Sequence, residues 1–306
     1  MTESAPTTAS TASTVSTVNT VNTRALSVPG AELTYDVHGD LSSVTAERPP
    51  LFLIGTPMAA AGFVTLAGHM ADRPVITYDP RNVARSKRHD ESVTPTPEDH
   101  AADLHAIIAE IGGPVDLFGS SGGAINGLAL AIAHPEDLRV LVAHEPPAGG
   151  SLPDAEYVRA ACHAVFDSYQ ASGFGLGMAK FIALVSEQGE LGPDYADRPD
   201  PDPGAFGMPT VDDGTRNDPL MNNMITIPVW APDRDALRAT TCRVVLAVGE
   251  ESGETLAARA PRAIAAQGGG ELAVFPGDHI GFAGGEYGTT GQPEAFATRL
   301  REVLGS

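Results

Sequence analysis

The chain has 306 residues, of which 42% are hydrophobic, so it is long enough to bury a sizeable core. Acidic residues (39) outnumber basic residues (19), and the net charge of −20 excludes the basic surface that nucleic acid or an anionic membrane would need. The two cysteines, Cys162 and Cys242, have no second Cys or His at ligand spacing, which argues against a disulfide scaffold and a zinc site. We therefore expect no metal and no cofactor.

The first 23 residues are rich in Ser and Thr and lack both the basic start and the apolar stretch of a secretory signal. This composition predicts a disordered tail from Met1 to Thr23. The longest apolar runs, such as Val244 to Val248, have only the length of a strand. We therefore expect a cytoplasmic protein that does not partner a membrane.

After the tail, short apolar runs alternate with helical patterns. The predicted strands are Ala31–His38, Pro50–Ile54, Val75–Tyr78, Val115–Phe118, Arg139–Ala143, Val244–Val248 and Leu272–Phe275. The predicted helices between them are Pro97–Ile111, Ala124–His134, Glu254–Gln267 and Gln292–Leu304. Strands that alternate with helices predict an α/β fold, with a mostly parallel sheet and helices on both of its faces.

The stretch from Pro147 to Arg234 breaks this alternation. It has helical patterns at Tyr157–Tyr169 and Leu176–Ser186, followed by an acidic, Pro-rich loop over Gly192–Pro219. An insertion after a strand lies at the edge of the sheet where α/β proteins bind ligands. We therefore predict a core formed by residues 24–146 and 235–306, with residues 147–234 inserted as a helical lid.

One Gly-x-Ser-x-Gly motif, Gly119-Ser120-Ser121-Gly122-Gly123, follows the predicted strand Val115–Phe118 and opens an Ala-rich helix. A serine on a tight strand-to-helix turn needs small neighbours, because larger ones would clash. In this context the motif indicates a nucleophile elbow with Ser121 as the nucleophile. At these residues the chain resembles the α/β-hydrolase superfamily, and the resemblance extends from about Ala31 to Leu304.

Further motifs extend this resemblance to the oxyanion hole. The segment Leu51–Pro57 is similar to the superfamily's strand and His-Gly loop, with Ile54 where a histidine is common. The resemblance implies that the backbone N–H groups of Thr56 and Gly122 form the oxyanion hole. A turn over Tyr78–Ser86 is also similar to one of the superfamily, and we interpret it as structural.

The resemblance also implies a base and an acid. His279 lies in a flexible loop after the last predicted strand, where the superfamily has its general base. The acid commonly follows the strand before that one, but here that segment reads Gly249-Glu250-Glu251-Ser252. Glu145, directly after the strand Arg139–Ala143, stands where a minority of the superfamily has its acid. We predict Glu145 as the acid and keep Glu250 and Glu251 as alternatives.

A closer resemblance is to the fungal zearalenone lactonases. It rests on the Gly-Ser-Ser-Gly elbow, the sequence His144-Glu145-Pro146-Pro147, the lid segment Ile227–Ala231 and Pro276-Gly277-Asp278-His279. The resemblance implies a Ser, Glu, His triad that acts through an acyl-enzyme on a small-molecule apolar ester or lactone with bulky groups. It also implies that Trp230 contacts the substrate, although a lone Trp is as readily explained as part of the core.

Two other classes of function remain open from the sequence. A cofactor-free oxygenase or cyclase of the same fold would use the histidine as a base without forming an acyl-enzyme. A ligand receptor would retain the fold without turnover, against which the presence of all three triad residues argues. A haloalkane dehalogenase is disfavoured, because its nucleophile is a carboxylate and this position holds Ser121. The oligomeric state is left undetermined.

Overall fold

A computed structural model describes residues 21–89 and 94–305. The strands of this part of the chain are β1 (Val21–Val28), β2 (Ala31–His38), β3 (Leu51–Thr56), β4 (Val75–Asp79), β5 (Lys87–Arg88), β6 (Val115–Ser121), β7 (Leu138–His144), β8 (Arg243–Gly249) and β9 (Glu271–Phe275). They form one sheet in the order β1-β2-β4-β3-β6-β7-β8-β9, with β5 paired to β2. All neighbours from β4 to β9 are parallel, whereas β2 pairs antiparallel with β1, β4 and β5.

Helices cover both faces of this sheet, as the sequence predicts. They are α1 (Val64–His69), α2 (Pro97–Ile111), α3 (Gly122–Ala133), α4 (Ala155–Ser172), α5 (Phe174–Ser186), α6 (Pro219–Asn223), α7 (Arg234–Ala239), α8 (Leu256–Ala266) and α9 (Pro293–Leu304). Alternate residues of β3 face opposite sides: Phe52 and Ile54 pack with α2, α3 and α8, whereas Leu51 and Leu53 pack with α1 and α9. The sheet is therefore buried on both faces, which explains its continuous apolar strands.

The prediction for the N-terminal tail is wrong at its end. Residues 21–23, assigned to the tail, are the first residues of β1, which pairs with β2 along its whole length. The side chain of Thr23 donates a hydrogen bond to Asp36 of β2 at 2.6 Å. The prediction for residues 1–20 lies outside the described residues.

The bounds predicted for helix α2 match the structure, because its sequence carries a capping signal at each end. Thr96 precedes the helix, and its hydroxyl accepts a hydrogen bond from the backbone N–H of Asp99 at 3.2 Å. The Asp99 carboxylate accepts from the backbone N–H of Thr96 at 2.9 Å, which completes a capping box. Gly112, with φ +83°, ends the helix in the left-handed conformation that glycine adopts without strain.

The segment between β7 and α7, for which we predict a lid, contains the helices α4, α5 and α6. A buried ion pair attaches it to the core: Asp154, before α4, accepts hydrogen bonds from Arg259 of α8 at 2.5 and 3.1 Å. The Asp154 carboxylate also accepts from the backbone N–H of Leu191. Because a broken buried pair leaves an uncompensated charge, these contacts fix the base of the lid. Among the described helices, none combines the length and apolar character that a membrane crossing requires.

Candidate active site

Ser121 is the last residue of β6 and directly precedes α3. Its backbone has φ +57° and ψ −127°, a strained conformation for a residue with a side chain. The flanking glycines are required by close packing. A Cβ at Gly119 would lie 2.7 Å from the carbonyl oxygen of Gly123, and one at Gly123 would lie 2.5 Å from that of Ile54. The sharp turn therefore presents Ser121 at the carboxyl edge of the sheet.

Glu145 follows β7 and is fully buried. One carboxylate oxygen, Oε2, lies 2.7 Å from Nδ1 of His279, and the other, Oε1, accepts a hydrogen bond from the backbone N–H of Gly249 at 2.9 Å. The backbone of Glu145 has φ +48°, and its N–H donates to the carbonyl of Ala247 at 2.9 Å. Glu145 is therefore held on both sides, and its contact favours the His279 tautomer that has the proton on Nδ1.

Electrostatics keep Glu145 ionised. Burial raises the pKa of its carboxyl, but the hydrogen bond with His279 and the nearby imidazoles outweigh this effect and lower the pKa to about 2. At neutral pH the carboxylate is therefore negative, and it can stabilise a positive charge that forms on His279.

His279 lies after β9, and its side chain is 41% exposed. Its loop and Ser121 line the same cavity. Strand β6 ends at Ser121 and its neighbour β7 ends one residue before Glu145, while β8 and β9 follow in the sheet and the loop after β9 contains His279. Because parallel strands end at the same edge, the three residues predicted from the sequence come together there.

The two alternative acids occupy other positions. Glu250 is exposed to solvent. Glu251 lines the cavity, but its carboxylate accepts a hydrogen bond from the side chain of Gln292 at 2.9 Å. Of the three candidate carboxylates, Glu145 is the one in contact with His279.

The two residues predicted for the oxyanion hole are adjacent. Thr56 ends β3 and lies opposite Ser121 in the parallel pairing of β3 with β6, while Gly122 begins α3. A Cβ at Gly122 would lie 2.5 Å from the carbonyl oxygen of Thr56, so the two backbones pack closely. The amide of Asn126 donates to the Thr56 hydroxyl at 2.7 Å and holds it. Gly122 also contributes the partial positive charge of a helix N-terminus.

A cavity of about 510 Å³ opens beside Ser121 and His279. Most of its wall is apolar, and the lid contributes a large share of that wall through Phe181, Leu184, Val185, Leu220, Met224, Ile227 and Pro228. Among the described residues of the wall, the acidic side chains are Glu251 and Asp278, and the wall includes no Lys or Arg. Such a cavity suits an apolar, uncharged molecule.

The structure does not place Trp230 at the cavity, where the resemblance to zearalenone lactonases implies a contact with the substrate. Its indole N–H donates a hydrogen bond to Glu98 of α2 at 2.9 Å, and its ring packs against the hydrophobic core. Trp230 is not one of the described residues that line the cavity. We therefore assign it to the attachment of the lid rather than to substrate contact.

Sequence reasoning missed the contribution of α6, which falls at the end of the predicted loop Gly192–Pro219. A start signal was present there: Asp218 accepts a hydrogen bond from the backbone N–H of Met221 at 2.9 Å, and Pro219 occupies the first helical position. The helix brings Leu220 and Met224 to the cavity.

Within the described part of the chain, the ligand atoms of His105, His134 and Asp137 lie within 4.8 Å of one another, a spacing that could hold a metal ion. His105 Nδ1 already pairs with the Asp137 carboxylate at 2.7 Å, and the two imidazoles stack with centroids 3.8 Å apart. These contacts explain the cluster without an ion. None of the three residues lines the cavity.

The fold and this site define an α/β protein with a serine, a histidine and a glutamate at the edge of a parallel sheet. Residues 37–299 match the model of the Alpha/beta hydrolase family, so the chain belongs to that family. It is 38% identical over 124 residues to the uncharacterized hydrolase YraK of Bacillus subtilis (strain 168). That match covers 40% of this chain and less than half, 43%, of the relative.

Solved structures share the fold at low sequence identity. The enol-lactonase of Burkholderia xenovorans LB400 has a TM-score of 0.63 at 17% identity, covering 92% of this chain and 100% of that chain. The proline iminopeptidase of Mycobacterium smegmatis has a TM-score of 0.59 at 20% identity, covering 93% and 98%. Since these two proteins are named for different bonds, the fold alone does not select the bond that is cleaved.

Proposed function

We propose that this hydrolase is a serine esterase or lactonase that acts on a bulky, apolar, uncharged substrate. The observation that carries the proposal is the Glu145–His279 hydrogen bond beside a cavity that contains Ser121 in an elbow. These are the parts that nucleophilic acyl transfer requires: a nucleophile, a base and a group that orients the base. The closer resemblance to zearalenone lactonases makes a macrocyclic lactone a candidate substrate.

The proposed mechanism uses these groups in turn. The Ser121 hydroxyl gives its proton to Nε2 of His279 as its oxygen attacks the substrate carbonyl carbon. Glu145, kept ionised by its low pKa, stabilises the resulting imidazolium. The backbone N–H groups of Thr56 and Gly122 then hydrogen-bond the oxyanion.

The second half of the reaction reverses the proton transfer. His279 returns the proton to the leaving alkoxide as the C–O bond breaks, which leaves an acyl group on Ser121. A water molecule, deprotonated by His279, attacks this acyl-enzyme and releases the acid and the free serine. In a lactone the alcohol and the acid belong to one molecule, so the product is a hydroxy acid.

A fluorophosphonate probe tests both the nucleophile and the reaction class. We expect mass mapping of the treated protein to find the adduct on Ser121, and we expect no adduct there in Ser121→Ala. Ester turnover should fall by about 10⁴-fold or more in that variant if it remains folded. Ester turnover retained by a folded Ser121→Ala protein would refute the assignment. Turnover without any acyl-serine would favour the cofactor-free oxygenase or cyclase class.

A further inference from the structure

A buried histidine near the active site has no part in the proposed mechanism. His100 of α2 is 2% exposed, and among the described residues neither of its ring nitrogens has a hydrogen-bond partner. Burial, together with the charge of Arg81, lowers the pKa of His100 to about 4, so the ring is neutral at pH 7. A neutral imidazole offers one donor and one acceptor, and leaving both unmet in the interior is costly.

The position of His100 connects it to the active site. It lines a small compartment of about 20 Å³, together with Thr56, Asn223 and other residues. Thr56 and Asn223 also line the large cavity, and Thr56 lies opposite Ser121 in the sheet. The compartment therefore adjoins the cavity at Thr56 and Asn223.

The size and charge of the compartment restrict what it accepts. A volume of about 20 Å³ suits a single oxygen-centred group, since a site for one water needs roughly 10–15 Å³. Two arginines also line it: Arg81 is paired with Asp103 through two hydrogen bonds of 2.5 and 2.6 Å, which offset its charge, and Arg88 likewise has an interaction of its own. A neutral group that both donates and accepts hydrogen bonds matches this setting best.

We propose that this compartment binds a hydroxyl group of the substrate and that His100 recognises that group. The inference rests on the proposed esterase function and narrows its substrate class to an apolar ester or lactone that carries a free hydroxyl. A hydroxyl can donate to the unprotonated ring nitrogen of His100 or accept from the protonated one, so it supplies a partner that an apolar group cannot. Sites built around such a contact discriminate strongly against the analogue that lacks the hydroxyl.

The test compares matched esters on the full-length enzyme. Values of kcat/KM are measured for p-nitrophenyl hexanoate and its 3-hydroxy and 6-hydroxy derivatives, and for ethyl against 2-hydroxyethyl hexanoate. We expect at least one hydroxylated member to exceed its plain partner by more than about tenfold. In His100→Phe that ratio should fall towards one. In His100→Gln, which keeps a donor and an acceptor, it should be partly retained.

His163→Gln removes an exposed histidine of the lid and should keep the ratio of the wild type. Thermal unfolding of each variant checks the fold, and His100→Gln keeps the test valid if His100→Phe does not fold. Equal rates for all matched pairs in the wild type would overturn the inference and assign the compartment to a structural water. A ratio unchanged by both His100 substitutions would overturn it too. Failure to turn over any ester would contradict the esterase proposal itself, and the inference with it.

Discussion

At the scale of single residues, the contact between Glu145 and His279 makes a direct kinetic prediction. Glu145→Gln keeps the shape of the side chain but removes the charge that stabilises the imidazolium in the proposed mechanism. We expect kcat for an ester substrate to fall by roughly 10²- to 10⁴-fold. Steady-state kinetics on the purified variant, with circular dichroism to check the fold, would measure this loss.

Glu250→Gln is the matched control, because Glu250 is exposed to solvent and is not among the described residues that line the cavity. It should leave kcat within several-fold of the wild type. If the control loses activity while Glu145→Gln keeps it, the assignment of the acid is wrong and the serine mechanism still stands.

The candidate triad could be predicted from the sequence because local context marks each member. Ser121 lies in a motif between a strand and a helix, Glu145 directly follows β7, and His279 lies in the loop after β9. Trp230 and His100 lack such context. Whether Trp230 faces the substrate or Glu98 depends on how the lid packs, and a lone histidine on an amphipathic helix carries no sequence signal.

At the scale of elements, the close contact between the elbow and β3 predicts the effect of a single methyl group. A Cβ added at Gly123 would lie 2.5 Å from the carbonyl oxygen of Ile54 and 2.6 Å from the Cα of Gly55. Both contacts are with backbone, which cannot rotate away as a side chain can. We expect Gly123→Ala to lower the free energy of unfolding by about 1–3 kcal/mol or more, measured by urea denaturation.

Gly68→Ala on α1 is the control substitution of the same kind. A Cβ there meets nothing within 4 Å, and alanine favours a helix over glycine by about 0.5–1 kcal/mol. This variant should be as stable as the wild type or more so. A Gly123→Ala protein with the stability of Gly68→Ala would show that the elbow is looser than the structure indicates.

The lid helices α5 and α6 line the cavity, so we expect them to determine specificity for bulky substrates. Phe181 of α5 lines the cavity, so Phe181→Ala removes apolar surface that a large acyl or alcohol group would contact. We expect kcat/KM for a bulky naphthyl ester or a resorcylic lactone to fall about tenfold or more, and that for p-nitrophenyl acetate to change little. The measurement is the ratio of the two kcat/KM values.

Val211→Ala serves as the control for the lid, since Val211 is 80% exposed and is not among the described residues of the cavity wall. It should leave the ratio unchanged. Equal losses for large and small esters in Phe181→Ala would mean that the residue supports the fold of the lid rather than substrate binding.

Elements with strong local signals were predicted closely, and elements without them were not. The bounds of β2 and α2 match the prediction, since β2 alternates and α2 has a capping box and a terminal glycine. Strand β1 was missed because its start, Val21-Asn22-Thr23, repeats the sequence of residues 18–20 in the tail, and because its side chains are largely exposed. Its order comes from pairing with β2, which a local pattern does not show.

At the scale of the whole molecule, buried neutral histidines connect stability to pH. His144, packed among the rings of Phe118, Phe282 and Phe296, is fully buried, and burial lowers its pKa to about 4. Burial likewise lowers the pKa of His100 to about 4. In the unfolded chain both imidazoles titrate near 6.5. Between pH 6.5 and 4 the unfolded state therefore binds more protons than the folded state does.

The sign of the effect follows from this difference. Stability rises with pH wherever the unfolded state binds more protons, so the protein should lose stability as the pH falls from about 6.5 towards 4. Each pKa unit corresponds to about 1.4 kcal/mol, so each histidine contributes a loss on the order of 3 kcal/mol by pH 4. Glu145, with its pKa lowered to about 2, adds a further loss below about pH 4.5.

Replacing one buried histidine should remove its share of this pH dependence. We expect His144→Phe to show a smaller loss of unfolding free energy than the wild type between pH 7.5 and pH 4.5, because phenylalanine does not titrate and fits an aromatic surrounding. Urea denaturation at several pH values gives the slope of the unfolding free energy against pH for each protein. Only the difference between the two slopes is used, because the titration of the many surface carboxylates is common to both proteins. His163→Gln, which removes an exposed histidine, should keep the slope of the wild type. Parallel slopes for His144→Phe and the wild type would mean that His144 is protonated in the folded state at a pH close to that of the unfolded chain.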